Sequence, residues 1–146
     1  MIVIDLNVLV AAFRSDHPHH SAASPWLSTA LAAPGTVIVP DLVWVGFVRI
    51  VTNSRIVVDP APLEVASQFV LAVTESAGYR SVPGHLDGLQ AFLDECAQGE
   101  ASGDLVPDAY VASIARSYGC PVASFDRDLR RFDDLRLVTP AVDQSV

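Results

Sequence analysis

Apolar positions along this chain alternate between short unbroken runs, the mark of strands buried on both faces, and longer stretches with a three-to-four-residue rhythm, the mark of helices with one buried side. Met1-Ile2-Val3-Ile4 is the first run, and it passes directly into a helix in which Leu6, Leu9, Val10 and Phe13 recur at i, i+3, i+4 and i+7. A polar loop, Ser15 to His20, precedes a second helix expected from Ser21 to Ala33, with Trp26, Leu27, Ala30 and Leu31 inward and Pro25 in its first turns. Pro34-Gly35 stops that helix, and the β-branched run Thr36-Val37-Ile38-Val39 reads as a second buried strand. Pro40-Asp41 then opens a strongly apolar helix, Leu42 to about Val51, carrying Trp44, Phe47, Val48 and Arg49. So many large apolar side chains predict either deep burial or half of a dimer interface.

A turn-rich connection from Thr52 to Pro60 leads to a helix over 62–77, with Val65, Phe69, Ala72 and Val73 on its core side. Arg80 to Gly84 is extended, and a further helix runs from His85 to Gln98 with Leu86, Leu89, Phe92, Leu93 and Cys96 inward. The stretch Gly103 to Asp128 contains a helix from about Asp104 to Tyr118, a Gly119-Cys120-Pro121 break, a strand at Val122 to Phe125 and an acidic turn. Leu129 to Phe132 makes a short turn or helix, Leu135 to Val138 a last strand, and residues from about 141 to 146 a tail. Helix and strand keep alternating, so the predicted architecture is a three-layer α/β/α domain with a mostly parallel central sheet, a single domain over 1–146.

The 51% hydrophobic content excludes a disordered chain, yet no apolar run reaches the length of a membrane span. Met1 to Asp5 lacks the basic opening of a signal peptide, so a cytoplasmic protein is expected. The two cysteines, Cys96 and Cys120, have no metal-type spacing and are expected to be reduced and buried. The net charge is −8, every basic residue is Arg, and thirteen of the seventeen acids are Asp. Such a chain does not coat nucleic acid by bulk charge; a nucleic-acid substrate must be drawn by a metal and by local Arg residues, and the same charge suits a basic protein partner. The dinucleotide-binding glycine fingerprint, the phosphate loop and the Gly-x-Ser-x-Gly hydrolase signature are all absent.

The chemistry that remains lies in the acids. Asp5 follows the first strand, Asp126 follows the strand at Val122 to Phe125, and Asp108 lies near a helix start. In an open α/β sheet these positions meet at one edge, where ligands bind. If the two strands are parallel neighbours, three carboxylates arrive together, with Asp128 or Asp104 as supplements and Asn7 capping or lining the same edge. Asp104 and Asp108 would sit one turn apart on one helix face. Carboxylates so close repel, and a divalent cation relieves the repulsion. Hard oxygen ligands point to Mg²⁺ or Mn²⁺, and such an ion to hydrolysis of a phosphodiester or phosphomonoester. Each Asp taken singly also reads as a helix cap or a solvated turn. His17, His19 and His20 read as part of a polar connector rather than a metal site, and His85 as a cap or surface residue.

The run Ile2-Val3-Ile4-Asp5-Leu6-Asn7-Val8-Leu9, the central Trp44 to Asn53, the helix Asp108-Ala109-Tyr110-Val111-Ala112 and the segment Ser124-Phe125-Asp126-Arg127-Asp128 together resemble the PIN-domain ribonucleases, most closely the VapC toxins of bacterial toxin–antitoxin modules. The likeness covers nearly the whole chain in order and spacing. It implies a Mg²⁺-dependent endoribonuclease, usually a homodimer, held inactive by a VapB antitoxin whose C-terminal segment lies over the active groove. It further implies Asp5 and Asp108 as principal metal ligands, Asp126 as the third acid orienting the attacking water or a second ion, and Asp128 as a supporting carboxylate. Arg49 could contact phosphate or an antitoxin carboxylate, and Arg127, Arg130 and Arg131 the RNA backbone. This sequence departs from the pattern at Gly46, where many members carry Glu. Two other readings stay open: a small phosphohydrolase with Asp5 as its nucleophile, and a degenerate PIN scaffold that only binds a protein partner.

Overall fold

Strand β1 (Ile2–Ile4) is apolar at every position and buried throughout, a composition that suits only the interior of a sheet. In the computed structural model, which describes residues 1–142, it has a parallel neighbour on each side. Ile2 and Val3 pair with Val37 and Ile38 of β2 (Val37–Ile38), and Val3 and Ile4 pair with Val122 and Ala123 of β3 (Val122–Ala123). Strand β4 (Leu137–Val138) adds to the far side of β3, giving the order β2-β1-β3-β4. The strands are shorter than their apolar runs, although the ladder continues past β3, where Ser124 N donates to Val138 O at 3.0 Å.

Six helices cover this sheet: α1 (Leu6–Phe13), α2 (His20–Ala32), α3 (Asp41–Val51), α4 (Leu63–Thr74), α5 (Leu89–Gln98) and α6 (Val106–Ser117). Helix α1 packs against α2 and α3, and α3 against α4; α5 packs against α6, which lies along β1 and β3. The result is the expected three-layer α/β/α arrangement around an all-parallel sheet. Phe13, Trp44, Phe47 and Phe69 meet edge to face or tilted where α1, α3 and α4 converge, with Phe13 and Phe47 centroids 5.4 Å apart. Helix α3 buries Trp44 and Phe47 and leaves Leu42 and Val45 exposed at 47% and 65%. Among the described residues no helix is long and apolar enough to cross a membrane. Most of the tail expected at 141–146 lies outside the described residues.

Periodicity is right for part of two helices, with Phe69, Val73, Phe92 and Cys96 against the core, and misplaces the rest of each face. On α4 the buried line runs through Ala66, Phe69, Val70 and Val73, so Val65 and Ala72 are exposed. Helix α5 begins at Leu89 rather than His85, because Gly88 takes φ +70°, a turn conformation that glycine adopts without strain. The segment ahead of it is tied to α6 by polar contacts instead. Ser113 spends its hydroxyl hydrogen on Tyr110 O at 2.7 Å and accepts from His85 Nε2, while Leu86 N donates to Ser117 Oγ at 3.2 Å. Leu86, Leu89 and Leu93 are consequently exposed, and the residue that α5 buries most deeply is Glu95, at 3%. A buried carboxylate needs a partner. Arg116 of α6 supplies both of its guanidinium bonds to Glu95, at 2.8 and 2.9 Å, and a third to Asp133 O at 2.6 Å.

Removing the cation leaves that carboxylate buried alone, so Arg116→Ala is expected to cost roughly 2–3 kcal/mol in a denaturant titration. Replacing the solvated Arg136 by Ala should leave the midpoint within about 0.5 kcal/mol of the parent.

Candidate active site

The chain runs from β1 to β2 on one side of the sheet and later from β3 to β4 on the other, so the connections diverge from the seam between β1 and β3. That seam is the switch point at whose carboxyl end α/β sheets open a crevice. Asp5 follows β1, and Ser124, Phe125 and Asp126 follow β3, so the sequence delivers its acids to this spot by register alone. Asp5 N donates to Ala123 O at 3.0 Å, extending the β1–β3 ladder by one residue and fixing the two strand ends against each other.

Asp5 is 6% exposed and caps α1, with Oδ1 accepting from Leu6 N at 2.7 Å. Its Oδ2 accepts from Ser124 Oγ at 2.7 Å and Asn7 Nδ2 at 3.1 Å. The Ser124 hydroxyl gives its hydrogen to Asp5 and accepts from Asn7 Nδ2 at 3.0 Å and Asp126 N at 2.9 Å, so its bonding capacity is complete. Asn7 in turn accepts from Phe125 N through Oδ1 at 3.0 Å. Asn7 thus lines the edge as expected. Ser124 had no role assigned from sequence; the signal was a lone polar residue directly after an apolar strand, and the fold buries it at 2% exposure against Asp5.

Asp108 lies in the first turn of α6, one residue after Pro107, which tolerates that turn because its missing N–H would have no helical partner. Its carboxyl is pushed up to about 6, first by burial and then by the negative charges of Asp5, Asp126 and Asp128, with Arg131 partly opposing. Burial also raises Asp5, against the lowering effect of its three hydrogen-bond donors. Asp126 caps the 3-10 turn Arg127–Arg131, its Oδ1 accepting from Asp128 N at 2.8 Å. The structure therefore gathers Asp5, Asp108, Asp126 and the exposed Asp128 into one field of mutual repulsion. Asp104 falls instead on an exposed 3-10 turn, Gly103–Leu105, ahead of α6; the one-turn spacing expected between it and Asp108 does not form, because the α-helix starts only at Val106. Among the described residues no three His, Cys, Asp or Glu side chains form a ready-made metal cage. The all-oxygen donor set fits a hard divalent cation all the same, since such an ion keeps several waters and needs few protein ligands, and the negative charges that add to burial in raising Asp108 would be offset by one.

A groove of about 270 Å³ runs from Asp5 and Asp108 along α3, past Leu42, Val45 and Gly46, to Arg49. Arg49 is thus brought beside the acids. Among the described residues only Arg14 and Arg116 form salt bridges, so Arg49 and the exposed Arg127 carry no ion pair. A Cβ at Gly46 would stand 3.2 Å from Leu6 Cδ2, so a side chain at 46 would require the Leu6 tip to give by a few tenths of an ångström.

The sequence profile of the PIN domain matches residues 2–135. The chain belongs to the PIN-domain family. This PIN domain is 44% identical over 143 residues to Ribonuclease VapC31 of Mycobacterium tuberculosis, covering 96% of this chain and 99% of that protein. It is 43% identical over 145 residues to Ribonuclease VapC25 of the same organism, covering 97% of this chain and 100% of that protein. Ribonuclease VapC48, also from M. tuberculosis, is 32% identical over 138 residues, with 93% and 94% covered.

A carboxyl held near 6 when folded and near 3.8 when unfolded costs stability, the cost growing as pH rises from about 3.8 to about 6 and staying constant above. Asp108→Asn should accordingly raise the stability of the metal-free PIN domain at pH 7.5 by about 1 kcal/mol after allowance for solvent screening, or roughly 3–5 °C in a thermal melt. Below pH 4 the advantage should vanish. Millimolar Mg²⁺ should raise the midpoint of the parent more than that of the variant.

Proposed function

We propose that this PIN domain is a metal-dependent endoribonuclease of the VapC type, the toxin of a toxin–antitoxin pair, hydrolysing RNA phosphodiester bonds and restrained by a VapB-type antitoxin. What supports this reading is that Asp5 and Asp126 follow the paired strands β1 and β3 and that Asp108 feels the charge of both, in a chain more than two-fifths identical over nearly its full length to proteins named ribonuclease.

Asp5, Asp108 and Asp126 are the residues that would hold Mg²⁺ or Mn²⁺, with Asp128 in support. When bound, the ion lowers the pKa of water and offsets charge at the phosphate. The protein's own part is positional. Ser124 and Asn7 fix Asp5 from one side and the backbone of residues 125 and 126 from the other, so strain or repulsion in one acid is resisted by both strands. Asp126 would be the third acid of the set, placed to orient the attacking water or a second ion. Arg49, which lines the same groove as Asp5 and Asp108, and Arg127, next to Asp126, supply the local positive charge that an acidic protein needs to hold an RNA backbone. The apolar wall of Leu42 and Val45 also suits an antitoxin segment, with Arg49 meeting its carboxylate. A homodimer in the cytoplasm is the form in which we expect the protein to act.

An aspartyl-phosphate mechanism is disfavoured by the state of Asp5. Both its oxygens already accept hydrogen bonds, three in all, which anchors the group rather than freeing it to attack phosphorus. The absence of any lysine removes the usual phosphate partner of such enzymes.

Purified protein, freed of its antitoxin, should cleave single-stranded RNA with Mg²⁺ or Mn²⁺ and stop on chelation. Asp5→Ala and Asp108→Asn should each reduce cleavage on the order of 100-fold or more while retaining a cooperative melt. Full activity in both variants refutes the assignment of the acids, and an inert parent under every metal points to a binding scaffold. Ser124→Ala, which unties Asp5 without touching substrate, should cost roughly 10–100-fold. The variant should also need more metal for half-maximal rate.

A further inference from the structure

The histidine-rich loop reads from sequence as a polar connector, but the fold carries one of its rings to the acid site. His19 lies flat on Phe125, the ring centroids 4.3 Å apart and the planes within 10°. Phe125 is the residue between Ser124 and Asp126, and its backbone N–H is held by Asn7 Oδ1, so the stack is fastened to the same network that fixes Asp5. The other partner is equally constrained. His19 N donates to His17 Nδ1 at 3.1 Å, Ala22 N and Ala23 N both donate to His19 O, and His20 Nδ1 bonds Ala11 O at 2.8 Å. His19 is nevertheless exposed and Phe125 is only half buried. Hydrophobic burial does not explain why a loop is held so firmly to keep two flat rings stacked at the surface.

We propose that the His19–Phe125 pair is a stacking platform for a nucleobase next to the scissile phosphate. The inference rests on the ribonuclease reading and extends it to how the substrate is gripped. A protein of net charge −8 gains no long-range attraction for RNA, so its hold on single strands must come from short-range contacts. Aromatic stacking is the contact that every base can make, and it works without charge. A rigid platform one residue from Asp126 and Ser124 would seat a base while the adjoining phosphate reaches the acids. The imidazole also offers an N–H to that base or to its phosphate.

The test measures binding separately from cleavage. In the cleavage-impaired Asp108→Asn background, short single-stranded RNAs carrying 2-aminopurine at successive positions are titrated by fluorescence anisotropy and quenching. At one position the base should be quenched. His19→Leu and His19→Ala, at an exposed site, should each weaken binding on the order of tenfold and restore fluorescence there, whereas His19→Phe, which keeps a flat ring, should stay within about twofold. Unchanged affinity and quenching in both His19→Leu and His19→Ala overturn the platform, as does a failure of the Asp108→Asn protein to bind these RNAs. If His19→Leu loses affinity for the antitoxin but not for RNA, the stack serves a protein partner and the proposal is likewise overturned. Quenched binding by a protein whose Asp108 form never cuts RNA leaves the platform standing and removes the ribonuclease reading instead.

Discussion

The hydrogen bond from Asp5 N to Ala123 O is the constraint on which the rest of the site depends. It closes the parallel ladder of β1 and β3 one residue beyond the strands themselves, and so sets the ends of two distant segments at one height. Every other feature of the site follows from that register. Asp5, Ser124 and Asp126 can share hydrogen bonds because their backbones arrive together, and Asp108 feels their charges because α6 packs along both strands. A slip of one residue in either strand would turn Ser124 away from Asp5 and leave a buried carboxylate short of a donor.

The site holds more repulsion than a stable fold requires, and the protein offsets it in two ways. Asp5, the most buried acid, is saturated with donors from Leu6, Asn7 and Ser124. Asp108 has no such set; its carboxyl is displaced to about 6 and left to be balanced from outside. That contrast is what sets Asp108 apart from the acids whose charge the fold itself balances. Glu95 and Arg116 make the comparison within the same molecule, since there the buried charge is met by an internal guanidinium at 2.8 Å and nothing more is needed.

The groove along α3 combines Arg49, small or apolar walls and the acids at one end. Leu6 packs beside Gly46, so the central helix meets the groove there with apolar contact and no carboxylate. Next to Ser124 and Asp126 in the chain, Phe125 carries the stacked ring of His19, an aromatic pair close to the acids. Cationic, apolar and aromatic contacts thus surround one acidic centre in a protein that is itself acidic.

The alternation of apolar runs and helical stripes was enough to determine the three-layer architecture, because burial on both faces and helix periodicity are local properties written into residue order, whereas the pairing of β1 with β3 that brings Asp5 and Asp126 to one edge stayed a condition until the fold supplied it. What local pattern could not decide is which side of a mixed helix faces inward. Leu86, Leu89 and Leu93 lost the core to Glu95 because Arg116, on another helix, pairs with it, and the turn at Gly88 opened because His85 found Ser113. Ser124 and His19 were likewise without an assigned role: a serine after an apolar strand and a histidine in a polar loop do not name their partners until the fold brings those partners beside them. Periodicity reports how much of a segment is buried, whereas partner identity is set by contacts between residues far apart in sequence, and only the folded chain contains those.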